Sequence, residues 1–396
     1  MKGILFIVDS VGETAGGVEG KILLIAKDLR QRELFAPAIL TNGQNSYLAR
    51  HFKDLGFPAY DFPMERQSNV LTGLAPIEQI IKKHNVSLIQ SHRFRASLLG
   101  RRIRRAYPNL RHVFRVHTHI EGHGTPKWKT GIYHLLDGWT EKYVDAFVPI
   151  SSLLGMELAK QSRIPEEKIH VVWNGIPAMG PADPTDNRDL PLTPEAAVIG
   201  DLQDRKQQCL AVEAIGLLHA QGLDVKLHII GRDLSDYEVS IRSAMRKHKV
   251  EHLVSIHGYQ PQGEIVRIVR DVPVFLLPSL FEGVPTCIIE GMSMRKLVIT
   301  TPAGATAELV EDGVNGFLHP AADAQALANI MKNVFSTPAR KWEAMRDAGL
   351  NTWRTRFSLN NMMDGLIGVY GKIGLDNHDT SSTRNSRGGR SHAMEG

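Results

Sequence analysis

Two glutamates eight residues apart, Glu282 and Glu290, lie in the segment Pro278-Ser279-Leu280-Phe281-Glu282-Gly283-Val284-Pro285-Thr286-Cys287-Ile288-Ile289-Glu290-Gly291. The segment follows an apolar run, breaks at Gly283 and restarts at Pro285, a residue suited to the first helical position. Glu282 is therefore expected on a loop and Glu290 inside the new helix. The first turn of a helix leaves amides unpaired and carries partial positive charge. Gly283, Val284, Pro285, Thr286 and Cys287 thus frame a site for a diphosphate or for sugar hydroxyls. A carboxylate on each side accepts hydrogen bonds from hydroxyl pairs, one on a ribose and one on a sugar. Taken alone the two acids are weak evidence, because carboxylates are ordinarily solvated surface groups.

Other candidate groups narrow the chemistry. Gly16-Gly17 permits a tight turn. The run Gly12-Glu13-Thr14-Ala15-Gly16-Gly17 lacks G-x-G-x-x-G, and the chain has no G-x-x-x-x-G-K-[ST], so neither a nicotinamide dehydrogenase nor a P-loop nucleotidase is supported. His117, His119 and His123 have a spacing compatible with a metal, but no carboxylate or cysteine completes an evident ligand set. Asp-x-Asp, which would place two carboxylates on a Mg²⁺ or Mn²⁺, is also absent from the sequence. No metal and no resident cofactor are expected. Cys209 and Cys287 read as small apolar fillers rather than nucleophiles, and two cysteines cannot build a disulfide framework.

The elements that must position these residues are legible as an alternation of β-rich apolar runs with helical stretches. Strands are expected at Ile4–Val8, Ala38–Leu40, Ser87–Gln90, His112–Val116 and Ala146–Ile150, and a helix at Val18–Arg30, where Ile22, Ile25, Ala26 and Leu29 recur at helical spacing. From Pro177 to Pro194 the pattern lapses into Pro, Asp, Asn and Gly, an interdomain connection. A second series follows at Ala197–Ile199, Lys226–Ile230, Val254–Ile256, Val274–Leu277 and Leu297–Thr300, then a last helix at Leu359–Ile373. The alternation predicts two doubly wound α/β domains with ligand at the carboxyl ends of their strands. Residues 374–396 are rich in Ser, Arg and Gly without periodicity and read as a disordered tail.

The bulk numbers agree with two soluble domains: 396 residues, 42% hydrophobic and 22% charged, with a net charge of +5. No apolar run approaches the ~18 to 20 residues needed to cross a bilayer. A cytoplasmic protein is expected, with contact to the inner face of the cell membrane as an option. Eight arginines stand between Arg93 and Arg115 with no acid among them. That run reads either as a solvated helix face or as a patch for an anionic lipid headgroup, a phosphorylated acceptor or nucleic acid, of which nucleic acid is not expected. Trp128, Tyr133, Leu135, Leu136 and Trp139 read as core packing in preference to an amphipathic element touching membrane.

The segment around Glu282 and Glu290 resembles the Glu-x7-Glu signature of the retaining GT-B glycosyltransferases of the family 4 type, over roughly residues 1–373. Asn174-Gly175 after a strand, Gly258-Tyr259 and the run Glu308 to Phe317 support the likeness. The resemblance implies two Rossmann-like domains facing each other across a cleft, with an acceptor-side domain at 1–177, a nucleotide-sugar-binding domain at 192–357, and a helix at 358–373 returning to the first. It implies Glu282 beside the transferred sugar, Glu290 on the donor ribose, the amides of Gly283 to Thr286 on sugar and diphosphate, Gly16 and Gly17 closing over the donor phosphates or the acceptor, and His117 contacting the sugar. Lys206 stands in register with a lysine that neutralises the diphosphate. The usual arginine before it is replaced by Asp201, an acid that would repel a diphosphate, so Arg205 takes its place, the donor binds differently, or the protein is a weak catalyst.

The implied activity is retaining transfer of a sugar from a nucleotide-diphosphate donor, a UDP-sugar by default, to a glycan, lipid-linked or small-molecule acceptor in polysaccharide biosynthesis. A nucleotide-sugar epimerase and a non-catalytic scaffold are the alternatives.

Overall fold

A computed structural model describes residues 1–9, 17–43, 46–62, 64, 74–117, 127–180 and 192–375. The first half runs β1 (Lys2–Val8), α1 (Gly17–Gln31), β2 (Phe35–Thr41), α2 (Tyr47–Asp54), β3 (Ala59–Asp61), α3 (Ala75–Lys83), β4 (Val86–His92), α4 (Phe94–Ala106), β5 (Arg111–Val116), α5 (Lys127–Thr140), β6 (Ala146–Pro149) and α6 (Ser152–Lys160). Its strands form one parallel sheet in the order β3-β2-β1-β4-β5-β6. The second half runs β7 (Glu195–Ile199), α7 (Gln208–His219), β8 (Lys226–Ile230), α8 (Tyr237–His248), β9 (Val254–Ile256), α9 (Gln262–Ile268), β10 (Val274–Leu277), α10 (Thr286–Ser293), β11 (Leu297–Thr300), β12 (Phe317–Leu318), α11 (Ala324–Phe335), α12 (Glu343–Thr352) and α13 (Leu359–Lys372). Its sheet, β12-β11-β10-β7-β8-β9, is also parallel and repeats the order of the first.

Both sheets are covered by helices, so their central strands are apolar on both faces; Gly3 to Val8 of β1 are all buried. Every strand expected from the sequence is present. β3 and β12 were not expected. They are edge strands of three and two residues, only partly buried, and so lack the apolar run that marks a central strand.

α13 belongs to the first core, where Met362, Met363, Leu366 and Tyr370 pack with Ile4, Phe6 and Ile22. Leu375, assigned to the tail by its composition, packs there too. The two crossings between the halves run side by side: Ile176 N–H donates to Phe357 O at 3.0 Å, and Leu359 N–H donates to Ile176 O at 2.9 Å. Asn174-Gly175 follows an extended segment rather than a named strand. A second tie is Glu308, whose carboxylate accepts from Ser152 N–H and Leu153 N–H at 3.0 and 2.9 Å. It caps α6 from the opposite half, an acid at the positive end of a helix.

The arginine run divides between exposed side chains, Arg95 and Arg105 among them, and others that are paired or buried. Arg93 pairs with Glu19 at 2.7 Å and Arg101 with Asp137 at 2.5 Å, while Arg104 and Arg111 share Asp145 at 3.0 and 3.1 Å. Arg115 is fully buried and donates to Val172 O and Asn174 Oδ1 at 3.3 and 3.0 Å. Core packing of the aromatic element is also overturned: Trp128, Leu135 and Trp139 are 64%, 73% and 77% exposed. Tyr133, by contrast, lies half-buried against Phe94.

Candidate functional site

In both sheets the strand order reverses beside the first strand of the half, between β1 and β4 and between β7 and β10. Such a switch point opens a crevice at the carboxyl ends of the strands. A cleft of 520 Å³ opens there in the second half, and Gly17 of α1 also lines it. Its walls bring together Arg205, Lys206, Glu282, Val284, Pro285, Thr286 and Glu290, seven of the residues singled out from the sequence. The chain enters α10 one residue later than expected: Pro285 is the residue before the helix, extended at φ −73° and ψ 108°, and Thr286 opens it. The ring has no N–H to leave unpaired, so proline suits either place.

Glu282 sits on the loop after β10, only 5% exposed, and accepts from Lys206 Nζ at 2.5 Å, with Arg205 Nη1 at 3.8 Å. The loop is held from two sides. Leu280 N–H donates to Arg205 O at 2.8 Å, and the Arg205 guanidinium donates to Phe281 O at 3.3 Å. On the other side Gly304 has φ +58°, and a Cβ there would lie 1.9 Å from Glu282 O, so only glycine lets the chain pass. Sequence reasoning missed Gly304 because the approach joins segments twenty-two residues apart.

Asp201 is held in a two-pronged pair by Arg232, Nε to Oδ1 at 2.9 Å and Nη2 to Oδ2 at 3.1 Å. Arg232 lines the same cleft. Its guanidinium therefore masks the acid and adds a cation to the cleft wall. Arg232 was missed, although its place directly after Ile230-Gly231 at a strand end was the available signal. Gly231 is required there, since a Cβ would fall 1.9 Å from Gly200 O.

Lys21 of α1 was also missed. It is 7% exposed, and burial lowers its ammonium to about 8, opposed by the attraction of Glu290. Glu290 in turn is raised by burial and drawn back by Lys21, so one charge from each half faces the other across the cleft. Lys21 stands one helical turn after Gly17.

His117 lies at the end of β5, 7% exposed, and its carbonyl oxygen is 3.7 Å from the point a Cβ of Gly283 would occupy. The backbone of His117 therefore lies against the Glu282 loop, although neither His117 nor Gly283 is among the residues that line the cleft. Behind His117 runs a buried chain of hydrogen bonds. Tyr370 O–H donates to Gln90 Oε1, Gln90 Nε2 reaches His92 Nε2 at 3.0 Å, and His92 Nδ1 reaches His117 Nε2 at 2.8 Å. A Gln90 amide that donates leaves the His92 proton on Nδ1, where it is given to His117 Nε2; His117 must then carry its own proton on Nδ1. Burial lowers both histidines well below their usual range, and the charge of Arg115 adds to it. His117 is thus a fixed neutral donor. Gly16, His119 and His123 lie outside the described residues. Burial raises Cys287 to about 12, an unreactive thiol, in line with a filler.

These neutral histidines have a cost in acid. His112 is likewise lowered by burial, to about 3. The unfolded chain binds protons near pH 6.5 and the folded one does not, so stability is full above that pH and falls as pH drops below it. Each of the three removes about 1.4 kcal/mol per pH unit in that range. Urea unfolding at pH 7.5 and 5.5 should show a large fall in midpoint, and equal midpoints would contradict the neutral assignment.

With this geometry in place, the comparisons are decisive about ancestry. Residues 15–178 match the family model described as Glycosyltransferase Family 4, and residues 193–337 match Glycosyl transferases group 1. The chain belongs to the GT-B glycosyltransferases of the family 4 type. Its two repeated sheets are the two halves of that fold. An amylovoran biosynthesis glycosyltransferase of Erwinia amylovora, AmsK, is 31% identical over 210 residues, 50% of this chain and 51% of that protein. A lipopolysaccharide 1,6-galactosyltransferase of Salmonella typhimurium is 28% identical over 45% of this chain and 48% of its own. The matched region thus spans about half the length of these curated relatives. The crystal structure of Anabaena HepE in complex with UDP superposes with a TM-score of 0.79 at 20% identity, covering 94% of this chain and 100% of that one, and shows the shared fold. Among the described residues no helix is long and apolar enough to cross a membrane.

Proposed function

We propose that this family 4 glycosyltransferase moves a sugar, with retention of anomeric configuration, from a nucleoside-diphosphate donor to a glycan or lipid-linked acceptor of polysaccharide biosynthesis. The observation that carries the reading is the convergence of Glu282, Glu290, Lys206 and Arg232 around the start of α10 in one cleft. The amides of α10 and the cations accept the diphosphate and the charge it gains on leaving. Glu290 accepts from the ribose, Glu282 lies at the transferred sugar, and His117 donates to a sugar hydroxyl. Gly17 closes the phosphate end from the first half. In this reading the leaving phosphate takes the acceptor proton, as the resemblance implies, and His117 and Glu282 position and polarise the sugar, with attack on the face the leaving group vacates.

UDP is the default nucleotide, a choice supported by the UDP complex of HepE. No metal or resident cofactor is part of the reading. The pairing of Asp201 with Arg232 removes the repulsion that favoured a non-catalytic scaffold, and the epimerase alternative has no observation of its own.

At a hundred times its Kd, UDP should add about 2.7 kcal/mol to the unfolding free energy. Thermal unfolding with UDP, GDP and ADP checks donor binding, and NMR of the product anomer checks retention. No shift with any of the three nucleotides would sink the donor site, and an inverted product would sink the mechanism. Conversion of the donor without an acceptor would favour the epimerase.

A further inference from the structure

α5 is turned inside out. Its buried side chains are polar: Thr130 is 5% exposed, His134 8% and Asp137 0%. His134 Nδ1 meets Ser162 Oγ at 2.7 Å, and Asp137 pairs with the buried Arg101. Its outward side chains are apolar: Trp128, Ile132, Leu135 and Trp139 are 64%, 45%, 73% and 77% exposed. They are spaced four, three and four residues apart, which aligns them on one face of the helix. Large apolar side chains gathered on one exposed face of a helix mark an interaction surface.

Cations border this face. Arg163 borders the groove between Leu135 and Trp139, and exposed Arg105 and Lys142 gather on the Tyr143 ring just beyond the end of the helix. Two nearby acids are held in pairs, Asp137 by Arg101 and Glu141 by Lys168, while Glu166 and Glu167 are exposed beside Lys168. We propose that the outward face of α5 is a docking surface for an anionic lipid bilayer, with the Trp and Leu side chains entering the headgroup and acyl boundary and the flanking cations meeting the lipid phosphates. A second copy of the chain fits less well, because apposed faces would bring the same cations together. The inference deepens the lipid-linked reading of the acceptor but rests on this face alone.

The full chain is tested by flotation with vesicles of phosphatidylcholine alone and of phosphatidylcholine with phosphatidylglycerol, at low and high salt. Binding is expected only to the anionic vesicles and to weaken with salt, with tryptophan fluorescence quenched by acyl-brominated lipid. The variant Leu135→Ser/Trp139→Ser should bind at least about tenfold more weakly, and Arg105→Glu/Arg163→Glu should lose most of the salt dependence. UDP-induced thermal stabilisation, measured on the same variants, should be unchanged and reports that they fold. Failure of the wild type to float, or flotation of the Ser variant like the wild type, overturns the proposal while leaving the donor site standing. A dimer that dissociates on Trp139→Ser substitution assigns the face to a second copy and also overturns it.

Discussion

Glu282→Gln is expected to lower sugar transfer by about 10² to 10³-fold, the scale of losing one well-placed charged group at a reacting centre. The amide keeps the shape and an acceptor oxygen, so what disappears is the negative charge beside the sugar as positive character develops at its anomeric carbon. Glu282 is also half of a nearly buried pair with Lys206, whose side chain is 11% exposed. Breaking such a pair costs up to about 3 to 5 kcal/mol, because the remaining charge has no partner. The diphosphate of UDP replaces that partner. UDP affinity should therefore be kept or improved, and UDP should restore most of the lost stability. Steady-state transfer, calorimetric UDP binding and thermal unfolding with and without UDP measure the three effects. Transfer within fivefold of wild type would remove Glu282 from the reacting centre.

Arg232→Ala should weaken UDP binding by about a hundredfold, and Asp201→Ala in the same chain should recover about tenfold of that loss. Two changes combine in the single variant: a cation leaves the cleft, and the Asp201 carboxylate is unmasked toward the diphosphate. At ~5 Å and an effective dielectric near 20, one unit charge contributes about 3 kcal/mol. The two side chains are 23% and 31% exposed. Water and salt therefore reduce each effect to about 1.4 kcal/mol, or tenfold. The double variant removes the repulsion and retains only the loss of attraction. This sign of non-additivity is the diagnostic, since independent sites would add. If Arg232→Ala binds UDP like the wild type, the cation at 232 is not the replacement for the missing arginine.

The residues that the sequence made legible share one property, that their neighbours in the chain explain them. Central strands buried on both faces show as uninterrupted apolar runs, and Glu282, Gly283, Pro285 and Glu290 carry their strand, break and helix start within fourteen residues. Residues whose meaning depends on distant partners were opaque or misread. Lys21 acquires its role from Glu290, and Arg232 from Asp201. His92 reads as an ordinary strand residue until β4 and β5 set it against His117. The arginine run shows the same limit from the other side. Arg93 and Arg101 find Glu19 and Asp137 at separations of 74 and 36 residues, so the absence of local acids said nothing about their pairing.

Helical periodicity in α5 aligned Trp128, Leu135 and Trp139 on one face but could not say whether that face turns inward, because a spacing carries no direction. The sequence by itself determined two wound α/β halves and a helix start between two carboxylates, since backbone propensity and apolar patterning act over a few residues. Only the tertiary structure decided which charges cancel, which histidine nitrogen holds its proton and which side of α5 meets solvent. Those are settled by through-space contacts at 3 to 5 Å, and chain separation does not encode them.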